Sequence, residues 1–229
     1  MNNSRIRLWD LPTRLFHWSL VICMVAAVVT GQIGGSLIDW HGRIGLCIAG
    51  LLAFRLTWGL VGSTYARFSQ FFPTPAKLKT YFSGHWRGEG HNPLGALSVI
   101  GLIGILCLQV ATGLFANDDI AFNGPLFELV SKNLSNQLTG VHHLIANLLI
   151  ALVVLHVGAI VFYGRVKKQD LVKPMITGWK DNVEGPSATG GGIVPLIVAL
   201  CIAGAVVWGA SGAWLPEPPP PPAGEAPTW

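Results

Sequence analysis

Hydrophobic positions in this 229-residue chain gather into five windows of mostly apolar residues, separated by shorter polar stretches. Because an α-helix rises about 1.5 Å per residue, a window of roughly 20 such residues can cross a hydrocarbon core of about 30 Å. The pattern therefore predicts five transmembrane helices, near residues 15–36, 41–62, 94–116, 141–164 and 193–214.

Composition agrees with a membrane protein, since 51% of the residues are hydrophobic and only 11% are charged. Each of the four cysteines stands alone inside a predicted span, and no Cys-x-x-Cys-His sequence is present. This spacing excludes covalent haem attachment and favours small buried side chains over disulfides or metal ligands.

Charge predicts the orientation of the spans, because Lys and Arg are retained on the cytoplasmic side during insertion. Twelve of the 15 basic residues precede the first span, lie between spans two and three, or follow span four. The opposite side receives only Arg43 and Lys132, together with six acidic residues. We therefore expect a cytoplasmic N-terminus and a periplasmic C-terminus.

Histidines inside apolar spans are costly unless they have partners. His142 and His156 are 14 positions apart, which leaves both imidazoles on almost the same helix face, about 21 Å apart. His143 lies on roughly the opposite side from His156, so we interpret it as a polar residue at a helix end. His85 and His91 fall in the connection between spans two and three, where solvated loop residues are expected.

The remaining histidines can be paired by their predicted depth in the membrane. His41 begins span two on the same side as His142 begins span four, and these two form the outer pair. His17, near the start of span one, forms the inner pair with His156, and the two are level if the first helix ends near residues 31–35.

Two bis-imidazole pairs at two depths are what two b haems require. Ligands so far apart cannot form one tetrahedral zinc site, and a proton relay is disfavoured because no Asp or Glu lies inside a span.

Three arginines are candidates for contact with haem propionates. Arg55 lies within span two, 14 positions after His41, and hence on the same face at the depth of the inner pair. Either it pairs with a propionate or it reaches to the membrane interface, and both interpretations stay open. Arg14, just before His17, and Arg43, just after His41, are similar candidates.

Several stretches resemble the bacterial cytochrome b561 family, which shares its fold with the cytochrome b subunits of nickel–iron hydrogenases. They include "RIRLWDLPTRLFHW", "HNPLGAL", "HHLIANLLIALVVLHV" and "LVKPMITG", and the resemblance covers about residues 5–180. It implies a four-helix transmembrane bundle that binds two b haems, with ligands at His17, His41, His142 and His156. The His-x-x-x-x-Asn pattern that ends at Asn147 favours His142 over His143.

The resemblance also implies an electron-transfer component of an oxidoreductase, working between the membrane quinone pool and a periplasmic redox protein. The acidic outer side favours a basic partner such as a c-type cytochrome. Two alternatives are superoxide oxidation coupled to quinone reduction, and a cytochrome b anchor subunit of a larger oxidoreductase or hydrogenase complex. The protein is expected in the lipid bilayer of a bacterial inner membrane, and nothing points to nucleic acid.

The expected fold is an all-α membrane protein with an added helix. Residues 1–180 form the dihaem domain, 181–192 a linker, 193–214 a fifth helix, and 215–229 a Pro-rich periplasmic tail. The fifth helix either packs on the four-helix core or contacts a partner protein.

Overall fold

A computed structural model describes residues 4–120 and 122–216. The helices in this part of the chain are α1 (Leu11–Ile33), α2 (Ile38–Val61), α3 (Phe68–Phe71), α4 (Pro75–Phe82), α5 (Pro93–Gly113), α6 (Lys132–Arg165), α7 (Val172–Thr177) and α8 (Ile193–Ala210). Two short strands, β1 (Arg5–Arg7) and β2 (Trp179–Asp181), pair in antiparallel orientation. Among the described residues, α1, α2, α5, α6 and α8 are long and apolar enough to cross a membrane, which confirms the prediction of five candidate spans.

Capping residues explain why two helices begin earlier than the hydropathy pattern predicts. At the start of α1, the Asp10 side chain accepts a hydrogen bond from the Thr13 N–H at 2.7 Å, and Pro12 occupies the first turn. At the start of α6, Ser131 accepts from the Leu134 N–H at 3.3 Å. Helix α6 therefore extends by about two polar turns beyond its apolar window.

Helix α2 lies at the centre of the bundle, with α1, α5 and α8 packed against it, while α6 packs on α5. A buried apolar cluster joins three of these helices between the levels of the two predicted histidine pairs, namely Ile48, Leu52, Ile103, Leu106 and Leu149. Many other large apolar side chains of the long helices are exposed. An exposed apolar surface of this extent is typical of helices that face lipid.

The segment after α6 folds back over the start of α1. Helix α7 presents two main-chain carbonyl groups to α1, where Met175 accepts from the Trp18 indole N–H at 3.2 Å and Ile176 accepts from the Arg14 guanidinium. Strand β2 then pairs with β1, so the N-terminus is held at this end of the bundle. We call this end, where α1 begins, the N-terminal end.

The segment 181–192 lies against the N-terminal end through main-chain hydrogen bonds. The Thr64 N–H donates to the Thr189 carbonyl at 2.9 Å, and the Ala188 N–H donates to the Arg7 carbonyl at 2.7 Å. The segment is thereby tied to both β1 and the residues that follow α2.

Helix α8 packs along α2, so the fifth span belongs to the core of the bundle. The contact is close, because a Cβ added at Gly50 would lie only 2.7 Å from the Val207 side chain. Beyond α8, a Cβ at Gly212 would meet the Pro125 carbonyl oxygen, so the end of α8 lies by the connection between α5 and α6. Most of the predicted Pro-rich tail, residues 217–229, lies outside the described residues.

Candidate functional site

The outer pair of histidines comes together across the bundle. His41 on α2 and His142 on α6 have ring centroids 6.1 Å apart and ring planes at 88°. Metal–imidazole bonds are about 2 Å long, so two imidazoles that bind opposite sides of one metal ion have centroids about 6 Å apart. The separation of these rings therefore fits ligation of one iron by both.

Main-chain carbonyl groups orient both rings of the outer pair. His41 Nδ1 lies 2.9 Å from the Ala27 carbonyl oxygen, and His142 Nδ1 lies 2.9 Å from that of Gln109. Since a carbonyl only accepts hydrogen bonds, each Nδ1 carries the proton and each Nε2 keeps its lone pair. This is the outer-shell arrangement that metal-binding histidines commonly show.

Two glycines allow the imidazoles to lie directly against neighbouring helices. A Cβ at Gly31 of α1 would be 2.9 Å from His41 Nδ1, and one at Gly113 of α5 would be 2.8 Å from His142 Cε1. Real side chains do not approach so closely, so any larger residue would displace a ring. Neither glycine is recognisable as part of the site from the sequence pattern.

A cavity of about 250 Å³ surrounds the outer pair. Its lining includes Gly31, Gly45, Gln109 and Gly113. The Gln109 amide nitrogen lies 3.0 Å from His142 Nε2, and its Oε1 is buried with no hydrogen-bond partner in the described part of the chain. A metal ion at His142 Nε2 would replace this amide contact.

The inner pair has fewer supporting contacts than the outer pair among the described residues. His17 on α1 and His156 on α6 are both half-buried and close enough to interact electrostatically. His156 Nδ1 lies 3.3 Å from the Ser98 hydroxyl oxygen. His17 Nδ1 is buried without a hydrogen-bond partner among the residues described, so it lacks the outer-shell contact seen at the outer pair.

His143 differs from its neighbour in its surroundings. Its side chain is exposed, whereas His142 is half-buried and carries the contacts to Gln109. His143 borders the same cavity, and its ring centroid lies 6.3 Å from that of His142. The geometry is therefore in line with the predicted choice of His142 as ligand.

The three candidate arginines have different environments. Arg55 is buried, its Nη1 donates to the Ala66 carbonyl at 3.1 Å, and its guanidinium lies over the Phe68 ring. Arg14 donates to the Ile176 carbonyl near the start of α1. Arg43 is exposed and lies over the Trp40 ring.

Asp10 is a buried acid that the sequence analysis did not single out. One carboxylate oxygen caps α1, and the other accepts from the Trp58 indole N–H at 2.9 Å. Trp58 itself is fully buried. The pair joins the start of α1 to the last turns of α2, close to Arg55, with which Asp10 interacts electrostatically.

The prediction that His91 is a solvated loop residue is wrong. Its ring packs against those of Trp9 and Phe71, with centroids 4.7 and 4.5 Å away, and its Nδ1 atom is buried. Burial lowers the pKa of His91 to about 3, with smaller contributions from Arg55 and His156, so the imidazole is neutral at pH 7. The signal that could have located it is position, because His91 precedes Asn92, the capping residue of α5, where side chains commonly pack against the helix.

Comparison with known proteins identifies the architecture. The family model for prokaryotic cytochrome b561 matches residues 8–178. The chain belongs to this family. The resemblance proposed from the sequence is thereby confirmed, and the apolar helices of this family member make it a multi-pass membrane protein.

Two relatives of this chain are both named as cytochrome subunits of Ni/Fe-hydrogenases. A probable Ni/Fe-hydrogenase B-type cytochrome subunit of Azotobacter vinelandii is 25% identical over 220 residues, covering 77% of this chain and 89% of the relative. A probable Ni/Fe-hydrogenase 1 B-type cytochrome subunit of Escherichia coli K12 is 24% identical over 136 residues. That match covers 46% of this chain and 57% of the relative's length. No solved structure matches the chain.

Membership in the family implies haem b and a role in electron transfer for this membrane cytochrome b561. The outer pair fits such a cofactor by ring separation, by the protonation of both Nδ1 atoms and by the glycines beside the rings. At the inner pair, α1 and α6 supply one half-buried imidazole each, and the Ser98 hydroxyl lies 3.3 Å from His156 Nδ1.

Proposed function

We propose that this cytochrome b561 is a dihaem protein that transfers electrons across the bilayer between the quinone pool and a periplasmic redox partner. The observation that carries the proposal is the facing arrangement of His41 and His142. In this proposal the outer pair holds one haem b, and His17 with His156 holds a second. When bound, each haem supplies an iron that changes between the ferric and ferrous states.

The residues around the ligands would set how readily each site accepts an electron. The Ala27 and Gln109 carbonyls hold the outer imidazoles in one tautomer and one orientation, which makes them stronger and more rigid ligands. The buried Leu149 and its apolar neighbours lie between the two levels and exclude water there. Arg55 is buried in α2, and its positive charge would favour the reduced state of a haem bound at that depth.

The distribution of charge supports an N-terminus in the cytoplasm and a C-terminus in the periplasm of a bacterial inner membrane. Basic residues collect at the N-terminal end, from β1, the connection between α2 and α5, and the segment after α6. At the opposite end, Lys132 forms a salt bridge with Asp119 at 2.9 Å, while Asp39 is exposed. A redox partner with a basic surface, such as a c-type cytochrome, suits this acidic end.

A second candidate is a role as the haem-bearing anchor of a larger complex. It is favoured by the relatives, whose names describe them as hydrogenase cytochrome subunits. Isolation of the protein from native membranes under mild detergent conditions separates the two functions. A stable complex with a large redox subunit supports the anchor, whereas isolation without such a subunit supports exchange with a diffusing partner.

The proposed function is tested with the full chain in lipid nanodiscs. We expect two haems per chain, reduction of both by a short-chain quinol analogue, and reoxidation by an added basic c-type cytochrome. The matched variants are His142→Ala and His156→Ala, each of which should retain one haem. A protein that binds two haems but is not reduced by the quinol contradicts the quinone part of the proposal.

A further inference from the structure

His91 is half-buried, and the proposed electron path does not use it. Trp9 and Phe71 both pack against its ring, and Nδ1 is buried with no hydrogen-bond partner within residues 4–120 and 122–216. Packing against two aromatic rings restricts rotation of the imidazole, so its two nitrogen atoms keep a fixed orientation in the fold. An unpaired nitrogen at such a site indicates that a group outside the chain completes it.

A buried positive charge lies beside this ring. Arg55 is 3% exposed, and the guanidinium has the Phe68 face on one side and a single hydrogen bond to the Ala66 carbonyl. A guanidinium carries five N–H donors, and this bond uses one of them. A buried guanidinium strongly favours an anionic acceptor, and a planar carboxylate matches its donors best.

The nearby acid is already engaged elsewhere. Both oxygens of the Asp10 carboxylate accept hydrogen bonds, one from the Thr13 N–H and one from the Trp58 indole. Asp10 therefore stabilises Arg55 through charge while its oxygens point to other donors. This leaves the His91 and Arg55 donors available to a second carboxylate.

We propose that His91 and Arg55 form a carboxylate-binding site, and that a propionate of the haem held by His17 and His156 occupies it. The inference rests on the proposed function, because it requires a haem at the inner pair. Contacts connect the two residues, because Arg55 lies over Phe68, whose ring centroid is 5.8 Å from that of Phe71, and Phe71 packs on His91. The inner pair lies nearby, since His156 contacts Ser98 in the second turn of α5, the helix that begins just after His91. His91 is thus a positioning residue: it holds the edge of the cofactor and does not ligate iron.

The position of both residues in the fold agrees with this role. Arg55 lies two turns before the end of α2, and His91 lies just before α5 begins, so both are near the N-terminal end of the bundle. Haem propionates are charged and are placed toward the aqueous end of a membrane site, where charge costs least. A buried guanidinium prefers a charged acceptor to a neutral quinone carbonyl, and the Asp10 oxygens, which accept from Thr13 and Trp58, do not serve as that acceptor.

The test measures the inner haem alone, in a His142→Ala background that removes the outer ligand. His91→Phe keeps an aromatic ring between Trp9 and Phe71 and removes the donor, while His91→Gln keeps a donor. His85→Phe is the matched control, because His85 lies in the same connection and is exposed. The readouts are haem content, midpoint potential and the apparent KM for a quinol analogue.

We expect His91→Phe to lower the midpoint potential of the inner haem, seen as a several-fold lower ferrous fraction at fixed ambient potential. The reason is that a propionate with fewer donors keeps more negative charge near the iron and favours the ferric state. His91→Gln should restore most of the shift, and His85→Phe should cause none. The KM for quinol should not change.

Three outcomes overturn the assignment. An unchanged potential with a raised KM for quinol would place a quinone at His91. A potential unchanged in both variants would leave His91 without a role at the cofactor. Equal loss of both haems, when His91→Phe is made with all four ligands present, would assign a purely structural role. Failure of the proposed function is distinct, because the unmodified protein would then contain fewer than two haems.

Discussion

His41 and His142 face each other from α2 and α6, and each donates its Nδ1 proton to a main-chain carbonyl 2.9 Å away. Neither carbonyl belongs to the helix that carries the histidine, since Ala27 lies on α1 and Gln109 on α5. Four helices thus meet at this one pair of rings. The outer site depends on the packing of the whole bundle, and its ligands can be tested separately from their neighbours.

Replacing His142 should remove one haem, while replacing the adjacent His143 should not. His142 contacts Gln109 and faces His41, whereas His143 is exposed. We expect His142→Ala to halve the haem content per chain and His143→Ala to leave two haems, both quantified from the pyridine haemochrome spectrum. The opposite result would exchange the roles of these two residues.

A methyl group at Gly31 or Gly113 should disturb the outer haem selectively. A Cβ at either position would approach an imidazole to 2.9 or 2.8 Å, and overpacking of this kind typically costs about 1–3 kcal/mol. We expect Gly31→Ala and Gly113→Ala to lower outer haem occupancy or to shift its potential, as measured by redox titration.

Gly204→Ala on α8 is the matched control for these two variants, because a Cβ there meets nothing within 4 Å in the described chain. It should behave like the unmodified protein. Equal behaviour of all three alanine variants would contradict the close approach of the rings to α1 and α5.

Removing the negative charge of Asp10 should destabilise the N-terminal end of the bundle. In Asp10→Asn, the amide can still cap α1 through its oxygen, but its NH₂ group then faces the buried Trp58 N–H. Leaving buried donors unpaired costs about 1–3 kcal/mol, so the midpoint of thermal unfolding in detergent should fall. Asp39→Asn, at an exposed position, should leave that midpoint within error.

A large side chain at Gly50 should weaken the attachment of α8 without affecting the haem ligands. A Cβ at Gly50 already meets Val207 at 2.7 Å, so Gly50→Leu would push α8 away from α2 at a cost of about 1–3 kcal/mol. We expect lower thermal stability with an unchanged reduced spectrum. Gly209→Leu is the control, since a Cβ at Gly209 has open space within the described residues.

The helices could be predicted from the sequence because their lengths follow from the width of a bilayer, which the apolar windows record directly. The starts of α1 and α6 could not be predicted from hydropathy, because capping by Asp10 and Ser131 decides them. The approach of His41 to His142 could be predicted because the two residues begin alternate spans and therefore lie at the same level of the bundle.

The supporting contacts could not be predicted in the same way. Gly31 and Gly113 leave room for an imidazole ring from another helix. A sequence pattern does not show which residues of two different helices come close together. His91 was misjudged because its polar, Gly-rich surroundings suggested solvent, while its actual neighbours, Trp9 and Phe71, come from distant parts of the chain. These contacts form only when distant segments pack together, so a local sequence pattern does not reveal them.

The pairing of β1 with β2 also has a consequence for biosynthesis. Ile6 is opposite Lys180, so the first strand to leave the ribosome has no partner until four membrane helices have been made. Until then its main-chain donors and acceptors are free, as at any open strand edge. Closure of this small sheet therefore marks a nascent chain whose four-helix part has been translated, and a chain truncated before residue 179 would expose that edge permanently.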